Sequence, residues 1–311
     1  ANLEGANLSN ADLSFANLTG ASLNGANMRG STISSTCLMQ ADLSGADLRG
    51  ATINNADVES ATFIEAVFGM SIFVNCDLRM AIALEFASEG AKVVICARAT
   101  SPTGLAGTLD ETTQAIQDAG GEVLPLVCDV TDDDQVQEMV RQVEEHYDRI
   151  DVLFNNAGAM VLGASIQEID PESWDRIMTV NVRGPYLCSR AVLPAMIRQG
   201  RGSIINIGSR MADDPKQDGG VLYSTSKAAV HMFTFCLAAE VREYNVAVNV
   251  ISPGSLRTEG SAAIPWTQRD WHERVEPSEV GPSAVYLAKQ DAKSMTGRLV
   301  MRAEFGKTWG I

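Results

Sequence analysis

A tyrosine and a lysine four residues apart, Tyr223 and Lys227, are the pair in this sequence best placed to do chemistry. The segment from Val221 onward is typical of a helix, so both side chains should lie on one helix face, one turn apart. A cation beside a phenol favours the phenolate and lowers the tyrosine pKa from about 10 toward neutrality. We therefore expect Tyr223 to donate or accept a proton, with an ordinary surface pair on a helix as the alternative.

The surroundings of this pair favour a catalytic interpretation. The apolar run 202–207 (GSIINI) predicts a strand, and Ser209 follows just beyond its end. Open α/β sheets place their chemistry at that end of a strand. Together with Asn155-Asn156-Ala157-Gly158, Asn181 and Pro253-Gly254, these residues resemble the short-chain dehydrogenase/reductase family. The resemblance covers residues 81–311.

The resemblance implies an NAD(P)-dependent oxidoreductase that transfers a hydride between nicotinamide and an alcohol or carbonyl substrate. Tyr223 would transfer the proton, and Ser209 would donate a hydrogen bond to the substrate oxygen. Lys227 would lower the pKa of the Tyr223 phenol and bind the nicotinamide ribose. Asn181, within MTVNVRG, matches the asparagine that holds a water in the proton relay behind the lysine. For Ser209, an N-cap or loop position is the alternative.

The resemblance also implies a cofactor cleft formed by residues that follow the strands. Asp129-Val130 resembles the pair that contacts adenine, with a solvated aspartate in a turn as the alternative. Arg98 follows Ala97, where an NAD enzyme would carry an aspartate, so we expect NADP, with NAD as the alternative. The other expected cofactor contacts are Asn155, Ala157, Gly158, Tyr223, Lys227, Pro253, Gly254 and Thr258.

Residues 1–80 repeat a pattern of five residues without a slip in register. Sixteen blocks, beginning ANLEG ANLSN ADLSF ANLTG, carry a small residue at the first position and Leu, Met, Ile, Val or Phe at the third. A period of five fits neither a helix nor a strand, so the chain should turn a corner in every block. The pattern resembles the pentapeptide-repeat family, which implies a right-handed quadrilateral β-helix of four coils stacked roughly 4.8 Å apart.

The repeat offers no catalytic residues, because its inward positions are apolar or small and its outward positions are Asn, Asp, Ser, Thr and Gly. Some members of that family are acidic rods that mimic DNA and bind gyrase, and this segment carries eight acidic residues against three arginines. A scaffold or spacer is the other interpretation. The open end of such a short rod needs a cap or a partner to cover its unpaired backbone groups.

From Ala81 onward, strand-like apolar runs alternate with helical segments. Strands separated by helices of this length need crossover connections, which predicts an α/β fold with a doubly wound, Rossmann-type parallel sheet. The segment 171–200 is predicted as one long helix. We divide the chain into a β-helix at 1–80 and an α/β domain at 81–311. The predicted strands are KVVICAR, GEVLPLVCDV, DVLFNNAG, GSIINIGS, VAVNVISPG and GRLVM.

The junction lacks a feature of the reductase family, a first strand followed by a glycine-rich turn that meets the dinucleotide pyrophosphate. Residues 72–79 occupy that place and contain no glycine, and Asp77 would oppose a phosphate. Either the repeat has replaced the strand and turn, or two genes are joined here. We expect the block 71–75 (SIFVN) to fill the missing strand position between KVVICA and DVLFNN, since it is apolar and β-prone.

Composition excludes several other functions. The net charge of −15 argues against nonspecific binding to nucleic acid or anionic membranes. The six cysteines show no C-x-x-C spacing and the three histidines are scattered, so we expect no metal site. No apolar stretch reaches the roughly 18 residues of a membrane span and no signal peptide opens the chain, so we expect a cytoplasmic protein.

Substrate and partners are less constrained. Residues 259–282 contain Trp266, Trp271 and His272 and should form part of a substrate lid, with surface packing of these side chains as the alternative. We expect a small alcohol or carbonyl substrate and a homo-oligomer formed through the helices of the α/β domain. The rival hypothesis is a noncatalytic scaffold or binding protein, including a gyrase-directed mimic, with an inactive reductase remnant.

Overall fold

The structure is a computed structural model that describes residues 1–34, 36–49, 51–54, 56, 71–74, 78–98, 109–162, 165–213, 220–257 and 272–310. In these residues, three strands of the repeat precede seven strands and seven α-helices of the α/β part. The repeat strands are β1 (Thr32–Ser34), β2 (Thr52–Asn54) and β3 (Ser71–Val74). The helices are α1 (Arg79–Ser88), α2 (Leu109–Asp118), α3 (Asp133–Tyr147), α4 (Pro171–Met178), α5 (Gly184–Gln199), α6 (Val221–Glu240) and α7 (Gly281–Ala288). The remaining strands are β4 (Val93–Ala97), β5 (Val123–Val127), β6 (Val152–Asn155), β7 (Ala159–Leu162), β8 (Gly202–Ile207), β9 (Val246–Ser252) and β10 (Leu299–Met301).

In the described part of the repeat segment, residues twenty positions apart pair in parallel. Asn2 lies opposite Ser22 in a parallel bridge, and Ser22 lies opposite Asp42. The same offset pairs β1 with β2 and β2 with β3. The first and third residues of the blocks point inward, so that in the second coil Ala21 and Leu23 are fully buried. Paired residues are therefore four blocks of five residues apart.

Between Gly5 and Gly45, each described residue at the fifth position of a block has left-handed backbone. Gly5, with φ at 63°, is typical, because glycine adopts this conformation without steric penalty. Phe15 takes the same conformation at 62° although it carries a side chain, and that side chain is 62% exposed. The corner at Phe15 is therefore a point of local backbone strain.

The α/β part contains two parallel sheets. One has the order β10-β9-β8-β6, and the other pairs β4 with β5. Every residue of β9 is buried, because helices cover both faces of the four-stranded sheet. Ile82 of α1 packs against one face of this sheet, whereas Ala83 on the same helix packs against β4. On the opposite face, Val94 of β4 and Leu153 of β6 belong to one apolar cluster, so the two sheets share their helical layers.

The SIFVN block does not fill the missing strand position, so that prediction is wrong. The parallel register of the coils continues into β3, where Ile72 lies opposite Thr52. The other edge of β3 pairs antiparallel with β7, with Val74 opposite Ala159. A strand has two edges, and both edges of β3 are thereby used. Among the described residues, β4 pairs with β5 alone and β6 with β8 alone.

The antiparallel partner β7 also covers the end of the repeat. Met160 packs against the apolar core of the coils, while Ala159 is buried among Ile177 and Leu222 of the α/β part. The expected cap thus comes from the chain itself. None of the described helices combines the length and apolar composition that spanning a bilayer requires.

Candidate active site

The Tyr223 and Lys227 side chains lie together on the first turns of α6. The helix begins at Val221, and the Lys227 Nζ atom lies 5.7 Å from the centroid of the Tyr223 ring, over its face. This distance is within the range of a cation–π interaction. The ammonium donates a hydrogen bond to the carbonyl oxygen of Ile207, 2.8 Å away, at the last residue of β8. The helix and the strand therefore fix the lysine from two sides.

Lys227 is an unusually buried cation, with only 4% of its surface exposed. Burial lowers the pKa of Lys227 from its usual 10.5 to about 8, because the charged form loses its hydration. An ammonium has three donors, and within the described part of the chain one of them is used, with no carboxylate in ion-pair contact. The two other donors suit the hydroxyls of a ribose, so this end of the site fits a nicotinamide cofactor.

Asn181 sits in a π-helical turn, Thr179–Arg183, between α4 and α5. Such turns are rare in proteins overall, and those that occur are often found at functional sites. Its Oδ1 atom accepts from the amide of Ala159 and its Nδ2 atom donates to the carbonyl of the same residue, both at 2.7 Å. The Nδ2 atom also donates to Ser226 Oγ at 2.9 Å. Asn181 therefore links β7, which pairs with the repeat, to the helix that carries Tyr223.

Ser209 takes the N-cap position of a short helix at 210–212, where its Oγ atom accepts from the Met211 amide at 3.2 Å. The capping alternative is thus observed, and the hydroxyl keeps its own proton to donate. The Ser209 amide donates to Nε2 of His231 at 3.4 Å. His231 is buried on α6, one turn after Lys227. Sequence reasoning missed it, because a lone histidine within an apolar helix gives no local signal.

Two of the expected cofactor glycines differ in their surroundings, since Gly158 is in contact with neighbouring residues and Gly254 borders open space. A Cβ atom built on Gly158 would meet Asn181 Oδ1 and Lys227 Nζ only at 3.8 Å, and one on Gly254 would meet nothing within 4 Å. Gly158 thus lies beside the catalytic candidates. Ala157 is half-buried in the same turn, and the Pro253 carbonyl accepts from Arg302 Nε at 2.9 Å. Thr258 lies outside the described residues, as do Trp266 and Trp271 of the expected lid.

Other expected cofactor residues make internal contacts. The Asn155 side chain is buried and donates to Asn206 Oδ1 at 2.8 Å, which joins β6 to β8. Asp129 Oδ1 accepts from both the amide and the hydroxyl of Thr131, an arrangement typical of an aspartate in a turn. Val130 packs against Gly184. Asn155, Asp129 and Val130 would therefore contact a cofactor only through atoms of their turns that these internal contacts leave accessible.

Arg98 is exposed directly after β4. Burial, and secondarily the neighbouring charge of Arg98, lowers the pKa of Arg176 on α4. The positive charges of Arg98 and Arg176 therefore interact unfavourably.

Comparison with known proteins gives the family. A model described as short chain dehydrogenase matches residues 78–268, and the pentapeptide-repeat model matches residues 1–34 and 41–79 in eight copies. An uncharacterized oxidoreductase of Staphylococcus saprophyticus is 35% identical over 222 residues, which cover 71% of this chain and 90% of that protein. These matches favour an enzyme over a noncatalytic scaffold.

Solved structures agree with this. The crystal structure of a metagenomic short-chain oxidoreductase in complex with NADP is 32% identical and superposes with a TM-score of 0.60, covering 72% of this chain and 91% of the other. An NAD+-bound xylitol dehydrogenase is 26% identical with a TM-score of 0.64, covering 72% and 92%. The α/β part therefore has the Rossmann-like fold of these enzymes. The chain belongs to the short-chain dehydrogenase family and is an NAD(P)-dependent oxidoreductase that also carries pentapeptide repeats.

Proposed function

We propose that this chain interconverts an alcohol and a carbonyl compound with NADP as cofactor, and that Tyr223, Lys227, Ser209 and Asn181 perform the proton chemistry. One observation carries the proposal. A buried ammonium lies over the ring of the tyrosine and, in the described part of the chain, its hydrogen-bond partner is a backbone carbonyl. Burying an ammonium against a backbone carbonyl lowers the stability of the fold. A catalytic role explains why the charge is nevertheless placed there.

The residues have distinct roles in this proposal. Tyr223 donates a proton to the substrate oxygen in reduction and removes it in oxidation. The charge of Lys227 stabilises the phenolate more strongly than it would in water, because the site is shielded from solvent. Ser209 donates its hydroxyl hydrogen to the same substrate oxygen. Asn181 would hold a water of the proton relay behind Lys227, and its bonds to Ala159 and Ser226 keep the π-helical turn against α6.

The cofactor would supply or accept the hydride when bound. Lys227 would hold its ribose, and Gly158, Ala157, Pro253 and Gly254 would border the nicotinamide end, together with Thr258. Asp129 and Val130 would contribute their turn to the adenine side, and Asn155 would lie in the turn beside the cofactor ribose. A 2′-phosphate would relieve the unfavourable interaction between the charges of Arg98 and Arg176, which supports NADP over NAD. The glycine-free segment 72–79 predicts weaker binding of the pyrophosphate than a glycine-rich turn would give.

We also propose the finer architecture. Residues 1–80 form a right-handed quadrilateral β-helix, and residues 81–311 form the catalytic domain. The pairing of residues twenty positions apart supports the first statement. The second is supported by the packing of Ile82 in the α/β core, whereas the described core of the repeat ends at Ala56. Exposed apolar side chains on α5 and α6, Tyr186 and Met232, support a homo-oligomer formed through these helices.

The substitution Tyr223→Phe tests the proposal. With NADPH and a panel of ketones and aldehydes, turnover should fall by at least about a hundredfold, the lower end of a general acid's contribution. The affinity for NADPH should stay within about twofold, since the ring remains. Tyr244→Phe is the matched control, because Tyr244 is exposed beyond the end of α6. Turnover of Tyr223→Phe within about tenfold of wild type would contradict the assigned role.

A further inference from the structure

A buried imidazole lies directly behind the proposed substrate-binding serine. The His231 side chain is on α6, one turn after Lys227, and it is 4% exposed. Its Nε2 atom accepts a hydrogen bond from the Ser209 amide at 3.4 Å, and its Nδ1 atom lies 3.6 Å from Asp213 Oδ1. The ring thus bridges the two ends of the short segment 209–213, one end by a backbone amide and the other by a carboxylate.

The backbone at Gly208 is shaped to admit this ring. A Cβ atom at Gly208 would lie 2.5 Å from His231 Nε2 and 2.6 Å from Cγ2 of Val250 on β9. Both distances are too short for any side chain, so glycine is required for the chain to pass over the imidazole. The contact between the ring and the residue before Ser209 is therefore built into the sequence at two positions.

The hydrogen bond from the Ser209 amide determines which ring nitrogen carries the hydrogen. An imidazole nitrogen that accepts a hydrogen bond has no hydrogen, so Nε2 is unprotonated and the hydrogen of the neutral ring is on Nδ1. That hydrogen faces the carboxylate of Asp213. In this tautomer both ring nitrogens have suitable partners.

We propose that His231 is a positioning residue for Ser209: the neutral ring, oriented by Asp213, holds the Ser209 amide, and protonation of the ring releases it. This inference rests on the proposed function, because it assigns a consequence to the position of Ser209. A protonated ring carries hydrogens on both nitrogens. Nε2–H would then face the N–H of Ser209, donor against donor, and the segment 209–213 would have to move.

The charged groups around the ring determine the pH at which His231 becomes protonated. Burial lowers the pKa of His231 below its usual 6.5, and the charge of Lys227 acts in the same direction, whereas Asp213 raises the pKa. Arg210, in the segment itself, is exposed. Strands β8 and β9, which pack against this part of α6, contain no ionisable side chain. The ring is therefore neutral at about pH 7, and the proposed release belongs to the acid side of that range.

Nuclear magnetic resonance tests the geometry without requiring turnover. In the full chain labelled with nitrogen-15, the His231 ring should show the tautomer with hydrogen on Nδ1 at about pH 7.5. On acidification, the Ser209 amide resonance should shift with the same midpoint as the ring. In His231→Gln that shift should be absent, because the glutamine side chain can accept a hydrogen bond from the Ser209 amide but does not titrate. His146→Gln is the matched control, because His146 is exposed on α3.

Kinetics test the consequence for catalysis. In the wild type, kcat should fall on the acid side with the midpoint of the His231 ring, and this limb should disappear in His231→Gln but persist in His146→Gln. His231→Phe, which removes the acceptor, should lower kcat about tenfold or more at all pH values while KM for NADPH changes less than about twofold. Circular dichroism checks that all three variants fold.

Either of two spectroscopic results would overturn the inference. One is a ring with its hydrogen on Nε2, and the other is a Ser209 amide that does not respond to titration of the ring. If the resonances behave as expected but the acid limb persists in His231→Gln, His231 is a structural residue and the inference is wrong. If no turnover is found with any substrate, the proposed function fails, and the resonances still decide whether the ring holds Ser209.

Discussion

Replacing Lys227 by methionine should make the protein more stable near neutral pH while abolishing its activity. The pKa of Lys227 falls from 10.5 to about 8 through burial alone. Each unit of that difference corresponds to about 1.4 kcal/mol, so keeping the ammonium inside the fold costs about 3 kcal/mol below pH 8. Methionine has a similar length and no charge. Part of the gain is offset because the Ile207 carbonyl loses its donor, which costs about 1–3 kcal/mol.

The pH dependence separates this effect from a change in packing. The folded-state pKa is depressed, so between about pH 8 and pH 10.5 the unfolded chain binds more protons at this lysine than the folded chain does. The free energy of unfolding therefore rises with pH in this window. Between about pH 7 and pH 9.5, the free energy of unfolding of the wild type should rise by about 2 kcal/mol relative to that of the Lys227→Met variant.

Urea unfolding followed by circular dichroism measures this difference. Lys293→Met is the matched control, because Lys293 is exposed and its replacement should leave the difference from wild type constant across the same pH range. A wild-type-minus-Lys227→Met difference that stays flat to within about 0.5 kcal/mol would refute the claim that Lys227 carries a desolvated charge.

Three further substitutions test other parts of the account. Gly208→Ala should destabilise the fold by about 1–3 kcal/mol, since a methyl group would collide with His231, and chemical denaturation measures this loss. Asn181→Ala leaves both backbone groups of Ala159 without partners, so roughly 2–4 kcal/mol of stability should be lost and the amides of 159–162 should exchange faster with solvent; unchanged exchange would argue against the link. Phe15→Gly should raise the stability of the repeat by about 1 kcal/mol in thermal unfolding, because it relieves a left-handed corner at an exposed side chain, and a loss of stability would contradict the strain.

The elements around the catalytic candidates could be predicted from local patterns. The apolar run 202–207 and the helix from Val221 are observed at those positions. Their signals are strong, since a buried parallel strand is continuously apolar and a helix repeats its apolar face every three to four residues. The spacing of Tyr223 and Lys227 then fixes their proximity without further information.

Features that depend on distant residues could not be predicted in this way. The π-helical turn around Asn181 interrupts what the sequence presents as one helix, because its stability comes from bonds to Ala159 and Ser226. Strand β7 is short and follows a turn, and it forms only because β3 offers an unpaired edge. The expectation for SIFVN was wrong for the same reason: its composition gives a strand, but its partners follow from the register of the coils.

The most direct test of the account is whether the intact chain binds NADPH. Titration of the full chain, followed by the enhancement and shift of NADPH fluorescence, should show saturable binding that Arg98→Ala weakens more for NADPH than for NADH. Saturation below about millimolar cofactor is the expected result. Absence of saturable binding up to millimolar NADPH would contradict the assignment of the cleft around Lys227 as a working cofactor site.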